Sequence, residues 1–302
     1  MKKVNYHTHT YRCGHANGNE EEMIQAAINM GIEDLGMCGH VPLPHYRKHL
    51  IYSIPSVRGI RSLAGLVKAF IKNGPSMRMP YKQLEDHLDI LRNCQKKYED
   101  QINIYKGFEA EGLEEYYDYY QTLLYEHKVD YLILGHHFHK HCIHSHYYGK
   151  EKMTKKDIYL YCNEVEKALE TQLFSYLAHP DLFLIGYSDF DLDAQTVTRR
   201  ICEKAKELNI PLEINAGGMR RGLRKRNHED IYLYPNTHFW KIASEVGNDV
   251  ILGFDAHDPS DFNDAMYQQM IKFAQDHELN VIDHFEFLQG NFEKYQAEYD
   301  IR

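Results

Sequence analysis

The chain has 302 residues, a net charge of −9, 43% hydrophobic and 26% charged residues. This composition suits a globular protein with a large core and excludes a disordered or fibrous one. No apolar run approaches the ~20 residues of a membrane span, and Lys2 and Lys3 lead into polar residues instead of the apolar stretch of a secretory signal. The six cysteines (Cys13, Cys38, Cys94, Cys142, Cys162, Cys202) are dispersed without a C-x-x-C pair. They read as reduced thiols of a cytoplasmic protein and speak against a zinc finger.

The first strand-like run is Lys3–Tyr6, which opens into Tyr6-His7-Thr8-His9-Thr10, with His15 shortly after. Residues two apart on an extended strand point the same way, so His7 and His9 present two imidazoles placed to grip one metal ion. A helix is expected over Glu20–Met30, where Met23, Ala26, Ala27 and Met30 fall at helical spacing. The second strand, Asp34–Cys38, runs into Gly39-His40. Residues 41–82 then carry eight cations and no acid. The proline-bearing part of that stretch, 43–80, reads as a basic insertion within one domain spanning 1–302: a lid, a substrate loop or a plain insertion.

A helix over Tyr81–Tyr98 precedes the third strand, Ile102–Phe108, which ends at Glu109. A helix over Leu113–His127 precedes the fourth, Tyr131–Gly135, which ends at His136 and His137. The tract His139, His141, His144, His146 reads as a solvated loop or a secondary metal-binding segment. After a helix over Lys155–Thr171 comes the fifth strand, Phe174–Ala178, ending at His179. A helix over Ala194–Leu208 leads to the sixth, Pro211–Ile214, and Asn215-Ala-Gly-Gly. A second acid-free segment, Met219–His228, begins there with Arg220 and Arg221. A helix over His238–Val246, the seventh strand Asp249–Gly253 with Asp255 and His257 behind it, and a helix over Asp264–His277 complete the series.

Seven βα units in series imply a parallel sheet with right-handed crossovers, and so many units usually close into a TIM-like barrel. An open doubly wound sheet would carry a Gly-rich phosphate loop after its first strand, where this chain has histidines. Each ligand candidate alone reads as structural, yet six of seven strands end in one. The C-terminal rim is where barrel enzymes place their chemistry.

Taken in order, His7, His9, His15, His40, Glu109, His137, His179, Asp255 and His257 resemble the PHP family, named for polymerase and histidinol phosphatase. The His-Thr-His-Thr…Cys-Gly-His opening, Ile-Tyr-Lys-Gly-Phe-Glu and Leu-Glu-Ile-Asn-Ala-Gly-Gly at 212–218 are most similar to its histidinol-phosphate phosphatase branch. The resemblance implies a distorted (β/α)7 barrel and three divalent transition-metal ions, Zn, Mn or Fe. One would be held by His7, His9, Glu109 and Asp255, a second by Glu109, His137 and His179, and a third by His15, His40 and His257. Mixed imidazole and carboxylate shells suit those ions, and one carboxylate can bridge two of them.

The implied reaction is phosphomonoester hydrolysis, L-histidinol phosphate to L-histidinol and phosphate, with a metal-bridging hydroxide attacking phosphorus. Asp255 and His257 are the candidate catalytic residues. Arginine forks match phosphate oxygens, so Arg220, Arg221 and Arg12 are the phosphate-binding candidates. Two features depart from the branch: no Arg follows the His179 motif in Asp181-Leu-Phe-Leu-Ile-Gly, and Cys38-Gly39 precedes His40. His136 is an alternative to His137.

Three other readings remain. A phosphoesterase or exonuclease acting on nucleotides would use the basic segments to track a phosphate backbone, although the chain as a whole is acidic and has no separate nucleic-acid-binding domain. An amidohydrolase-type C–N hydrolase also begins with H-x-H. A metal-storing module would have closed, usually Cys-rich sites.

Overall fold

Short runs rich in branched and aromatic residues form the strands, and amphipathic, side-chain-capped segments form the helices between them. The computed structural model describes residues 2–50, 54, 57, 59–72, 77–140, 147–149, 152–226 and 228–285. Strands β1 (Val4–Asn5), β2 (Asp34–His40), β3 (Asn103–Ala110) and β4 (Tyr131–Leu134) form one parallel block in that order. Its register aligns Asn5 with Leu35, His40 with Glu109 and Ala110 with Leu134. A second parallel block orders β5 (Leu212–Asn215), β8 (Asp249–Gly253) and β9 (Asn280–Val281). A separate antiparallel hairpin joins β6 (Arg224–Arg226) to β7 (Glu229–Ile231). The result is an α/β fold with a curled parallel sheet.

The strand expected at Phe174–Ala178 pairs through Leu177, in parallel with Leu134 on one side and Leu212 on the other, and its backbone hydrogen bonds run from Ser175 to Ala178. The extended run ends because His179 turns the backbone to φ 34°, outside the β region. A similar one-residue pairing joins Thr8 to Ala256. Strands β6, β7 and β9 were not expected.

The helices are α1 (Glu20–Met30), α2 (Tyr46–His49), α3 (Ile60–Lys72), α4 (Leu84–Lys97), α5 (Tyr117–Tyr125), α6 (Lys155–Glu170), α7 (Leu192–Glu207), α8 (Ala216–Met219), α9 (Thr237–Val246) and α10 (Asp264–Asp276). Polar side chains close their open N-terminal amides: Asn19 and Glu22 form a capping box on α1, and Asp191 accepts from the first turn of α7. No helix is long and apolar enough to cross a membrane among the described residues.

Alternation along the strands divides the core. One set of side chains meets the helices, and the other fills the inside of the curl: Val4, Tyr6, Cys38, Tyr131, Ile133, Tyr176, Ala178 and Ile251. Gly107 is required there, because a Cβ on it would come 2.4 Å from the Tyr131 ring. The basic segment after β2 carries α2 and α3, which pack through Tyr46, Leu50, Leu66 and Ala69.

Candidate metal centre

The strand ends bring the candidate ligands into one cluster. β1 runs out into His7 and His9, both fully buried, with Nε2 atoms 3.1 Å apart. Glu109, at the end of β3, is the hub. Its Oε2 lies 2.7 Å from His40 Nδ1, 3.5 Å from His9 Nε2 and 3.6 Å from His7 Nε2. Its Oε1 lies 2.9 Å from His179 Nε2 and 3.4 Å from His137 Nε2. Asp255 Oδ1, beyond β8, is 3.1 Å from His9 Nε2 and 3.5 Å from His7 Nε2. His257 Nε2 meets His15 Nε2 at 2.9 Å.

Four groups of three therefore have ligand atoms close enough to share a cation: His7–His9–Asp255, Glu109–His137–His179, His9–His15–His257 and His9–His40–Glu109. All nine expected ligands are brought together. His40 groups with His9 and Glu109 rather than with His15 and His257. His136 points elsewhere: its Nε2 is 2.9 Å from Glu164, which also accepts from His139 Nδ1 at 2.6 Å and from the Tyr148 hydroxyl. His141, His144 and His146 lie outside the described residues.

The donor set fits divalent cations. His179 Nδ1 is buried without a hydrogen bond, and Glu109 Oε2 and His40 Nδ1, though 2.7 Å apart, do not align for one, a costly arrangement for polar atoms unless something else meets them. Burial and the charge of His257 bring His9 down to about 3. At His7, burial is outweighed by Glu213, Asp255 and Glu109, which raise its pKa. Burial also opposes ionisation of Glu109, but His40, His137 and His7 hold it well below the usual carboxylate range. His179 and Asp255 both sit at positive φ, 34° and 47°, a backbone strain that accumulates at functional sites.

Two carboxylates absent from the sequence expectations orient the candidate ligands, in the way that outer partners do in metal sites. Glu213 on β5 is fully buried. It accepts from His7 Nδ1 at 2.8 Å, the His179 amide at 3.1 Å and Asn215 Nδ2 at 2.7 Å. Glu111, beyond β3, accepts from the His137 amide at 2.6 Å and lies 3.0 Å from His137 Nδ1. His137 and Arg78 hold it at about 2 against its burial. The same-face rule that singled out His7 and His9 applies equally to Glu109 with Glu111 and to Glu213 with Asn215, and is the signal that could have found both.

The cluster opens into a pocket of about 100 Å³, lined further by Arg78, Arg221, Phe138, Tyr147, Leu182 and Tyr234. Arg221 places its guanidinium over the Tyr234 ring at 5.4 Å. Two of the expected phosphate-binding arginines do not line it. Arg12 is buried in ion pairs with Glu20 at 2.5 Å and Asp86 at 2.7 Å. Arg220 donates to the carbonyls of Phe254 and Asp255 and pairs with Asp261, bracing the Asp255 loop from behind.

Three relatives can be set beside this geometry. A Deinococcus radiodurans protein named "Probable histidinol-phosphatase" is 24% identical over 269 residues, 84% of this chain and 86% of its own. A Listeria monocytogenes protein assigned as a histidinol phosphatase shares the fold with TM-score 0.64 at 20% identity, over 88% of this chain and 99% of its own. The histidinol phosphate phosphatase of Lactococcus lactis, solved with zinc, L-histidinol and phosphate, also gives TM-score 0.64, at 14% identity over 94% and 97% of the two chains. The PHP domain model matches residues 5–217, the greater part of the chain, and the protein belongs to the PHP domain family.

Proposed function

We propose that this protein is a metal-dependent phosphomonoesterase that hydrolyses L-histidinol phosphate to L-histidinol and phosphate. One observation carries the reading: nine metal-competent side chains from distant parts of the chain cluster together, and eight of them line one pocket that also holds Arg78 and Arg221. The choice of ester rests on the D. radiodurans relative's name and on the molecules bound in the L. lactis structure.

Three divalent ions, Zn, Mn or Fe, would occupy the cluster, with His7, His9, His15, His40, Glu109, His137, His179, Asp255 and His257 as ligands. The place of the Glu109 carboxylate in two of the groups supports closely spaced ions, since its two oxygens can serve two cations. Such cations neutralise phosphoryl oxygens and lower the pKa of water enough to supply a nucleophile near neutral pH. Arg221 binds the ester's phosphate from the pocket wall. Phe138, Tyr147 and Leu182 narrow the space open to bulk water. Asp255 and His257, with Nδ1 and Oδ1 3.3 Å apart, are the catalytic pair of this reading, and the proton that the leaving alkoxide takes up would come from the water that supplies the nucleophile.

The same reading closes the curled sheet into a distorted (β/α)7 barrel with the cluster at its C-terminal rim. The parallel pairings at Leu177 and between Thr8 and Ala256 support closure. The barrel is a single domain over 1–302 with a basic insertion at 43–80. The free, buried state of the five described cysteines suits a reducing cytoplasm. A phosphate-release screen over small monoesters and nucleotides, with elemental analysis of the same preparation, tests the function. Release from L-histidinol phosphate by metal-loaded protein is the expected result; metal-loaded protein that releases no phosphate from any small monoester overturns it.

A further inference from the structure

The basic segment between β2 and β3 contributes one side chain to the pocket that the sequence did not distinguish from its seven neighbouring cations. Arg78 is 3% exposed and lines the pocket with His40, His137 and Tyr147. It is held on three sides. One terminal nitrogen pairs with Glu111, the other donates to the Met77 carbonyl at 3.1 Å, and the guanidinium carbon lies 5.7 Å from the centre of the Phe138 ring. Met77 adopts φ 63° to deliver it, a left-handed conformation that a non-glycine side chain disfavours. An arginine has five N–H donors in a rigid plane, so two engaged directions leave others for a ligand.

We propose that Arg78 is a substrate-binding residue, donating to the phosphate of a dianionic monoester from the wall of the metal pocket, and that Glu111 is the positioning residue that fixes it. The proposal rests on the phosphatase reading of the site. Glu111 is shared: one carboxylate holds both the Arg78 guanidinium and the His137 imidazole. The spacing between the anion-binding fork and the ligand His137 is therefore set by a single side chain. With Arg221, Arg78 supplies the pocket's two fixed cations among the described residues.

The test compares metal-loaded wild type with Arg78→Lys and Arg78→Met by KM and kcat on L-histidinol phosphate, inhibition by inorganic phosphate, and bound metal per chain. Arg78→Met should raise KM and the phosphate inhibition constant together by about 10- to 100-fold, the size of a lost charge-assisted hydrogen bond. Metal content should be unchanged. Arg78→Lys keeps the charge and loses the fork, so it should fall between the two, and it decides the matter if Arg78→Met does not fold. Unchanged KM and phosphate inhibition in the folded variants overturns the proposal. So does loss of metal and kcat at constant KM, which would make Arg78 only a support for His137. A wild type that is inactive on every monoester yet binds inorganic phosphate through Arg78 would defeat the phosphatase reading and leave the anion site standing.

Discussion

Replacing Glu213 by Gln removes one charge and almost no volume, and the geometry states which bond fails. Two donors, the His179 amide and Asn215 Nδ2, converge on Oε2, while Oε1 faces His7 Nδ1 alone. The carboxamide oxygen is best satisfied on the two-donor side, which turns the NH2 toward His7. His7 Nδ1 must then accept, so its proton moves to Nε2, the atom that faces His9, Glu109 and Asp255. A protonated nitrogen is not a ligand. Loss of an orienting carboxylate costs about 10- to 100-fold in metal affinity, or about 1.4 to 2.7 kcal/mol. The assay is chelator competition followed by elemental analysis, with turnover measured at limiting and saturating metal. The Glu213→Gln variant should lose metal first and regain part of its turnover when metal is added. Metal affinity within about twofold of wild type would refute the tautomer argument.

Glu109→Gln should reduce bound metal and lower turnover at least about 100-fold, because Glu109 belongs to two of the four ligand groups; full metal content by elemental analysis would show that the ions do not share it. Arg221→Met should raise KM about tenfold or more, with kcat within about threefold; an unchanged KM in steady-state kinetics would remove Arg221 from phosphate binding. Glu20 sits at about 2 because His87 and Arg12 outweigh its burial. A carboxylate depressed in the folded state stabilises fully above its ordinary value and loses that contribution as pH falls toward its folded value. Glu20 should thus contribute on the order of 2 kcal/mol above about pH 4.5 that fades toward pH 2. Denaturant melts from pH 5.5 down to pH 3 should give Glu20→Gln a flatter acid limb than wild type; identical slopes would contradict the ion-pair account.

Much of the site was legible because ligands in a strand-end site obey a simple rule: a short apolar run stops and a His, Glu or Asp follows. The rule picked out His7, His40, Glu109, His137, His179 and Asp255, while His15 follows no strand and entered through the family resemblance; the structure clusters them all. The rule failed for the arginines, because a cation's sequence position does not say which way the guanidinium turns. Arg12 lies between two candidate ligand histidines, yet it is buried in ion pairs with Glu20 and Asp86. Arg78 looked like any member of a basic stretch until Met77 turned the backbone and Glu111 fixed its end. The end of the fifth strand was equally hidden, since only the conformation of His179 turns the backbone away there.

The glycines next to the ligands explain why this cluster can exist at all. A Cβ on Gly135, after β4, would sit 2.0 Å from Glu109 Oε1, and one on Gly253, the last residue of β8, 1.9 Å from Glu213 Oε1. Each carboxylate therefore occupies the volume a neighbouring strand's side chain would have filled. The Leu-Gly before His136-His137 and the Leu-Gly before Phe254-Asp255 serve one purpose: they admit a buried carboxylate from the adjacent strand. Such groups are costly to bury unless charge or hydrogen bonds meet them. Glu213 is met by three donors and Glu109 by imidazoles, with one oxygen left over for a cation. The strands thus distribute two carboxylates between two glycine-lined niches: Glu213, which fixes His7 and His179, and Glu109, around which the imidazoles gather.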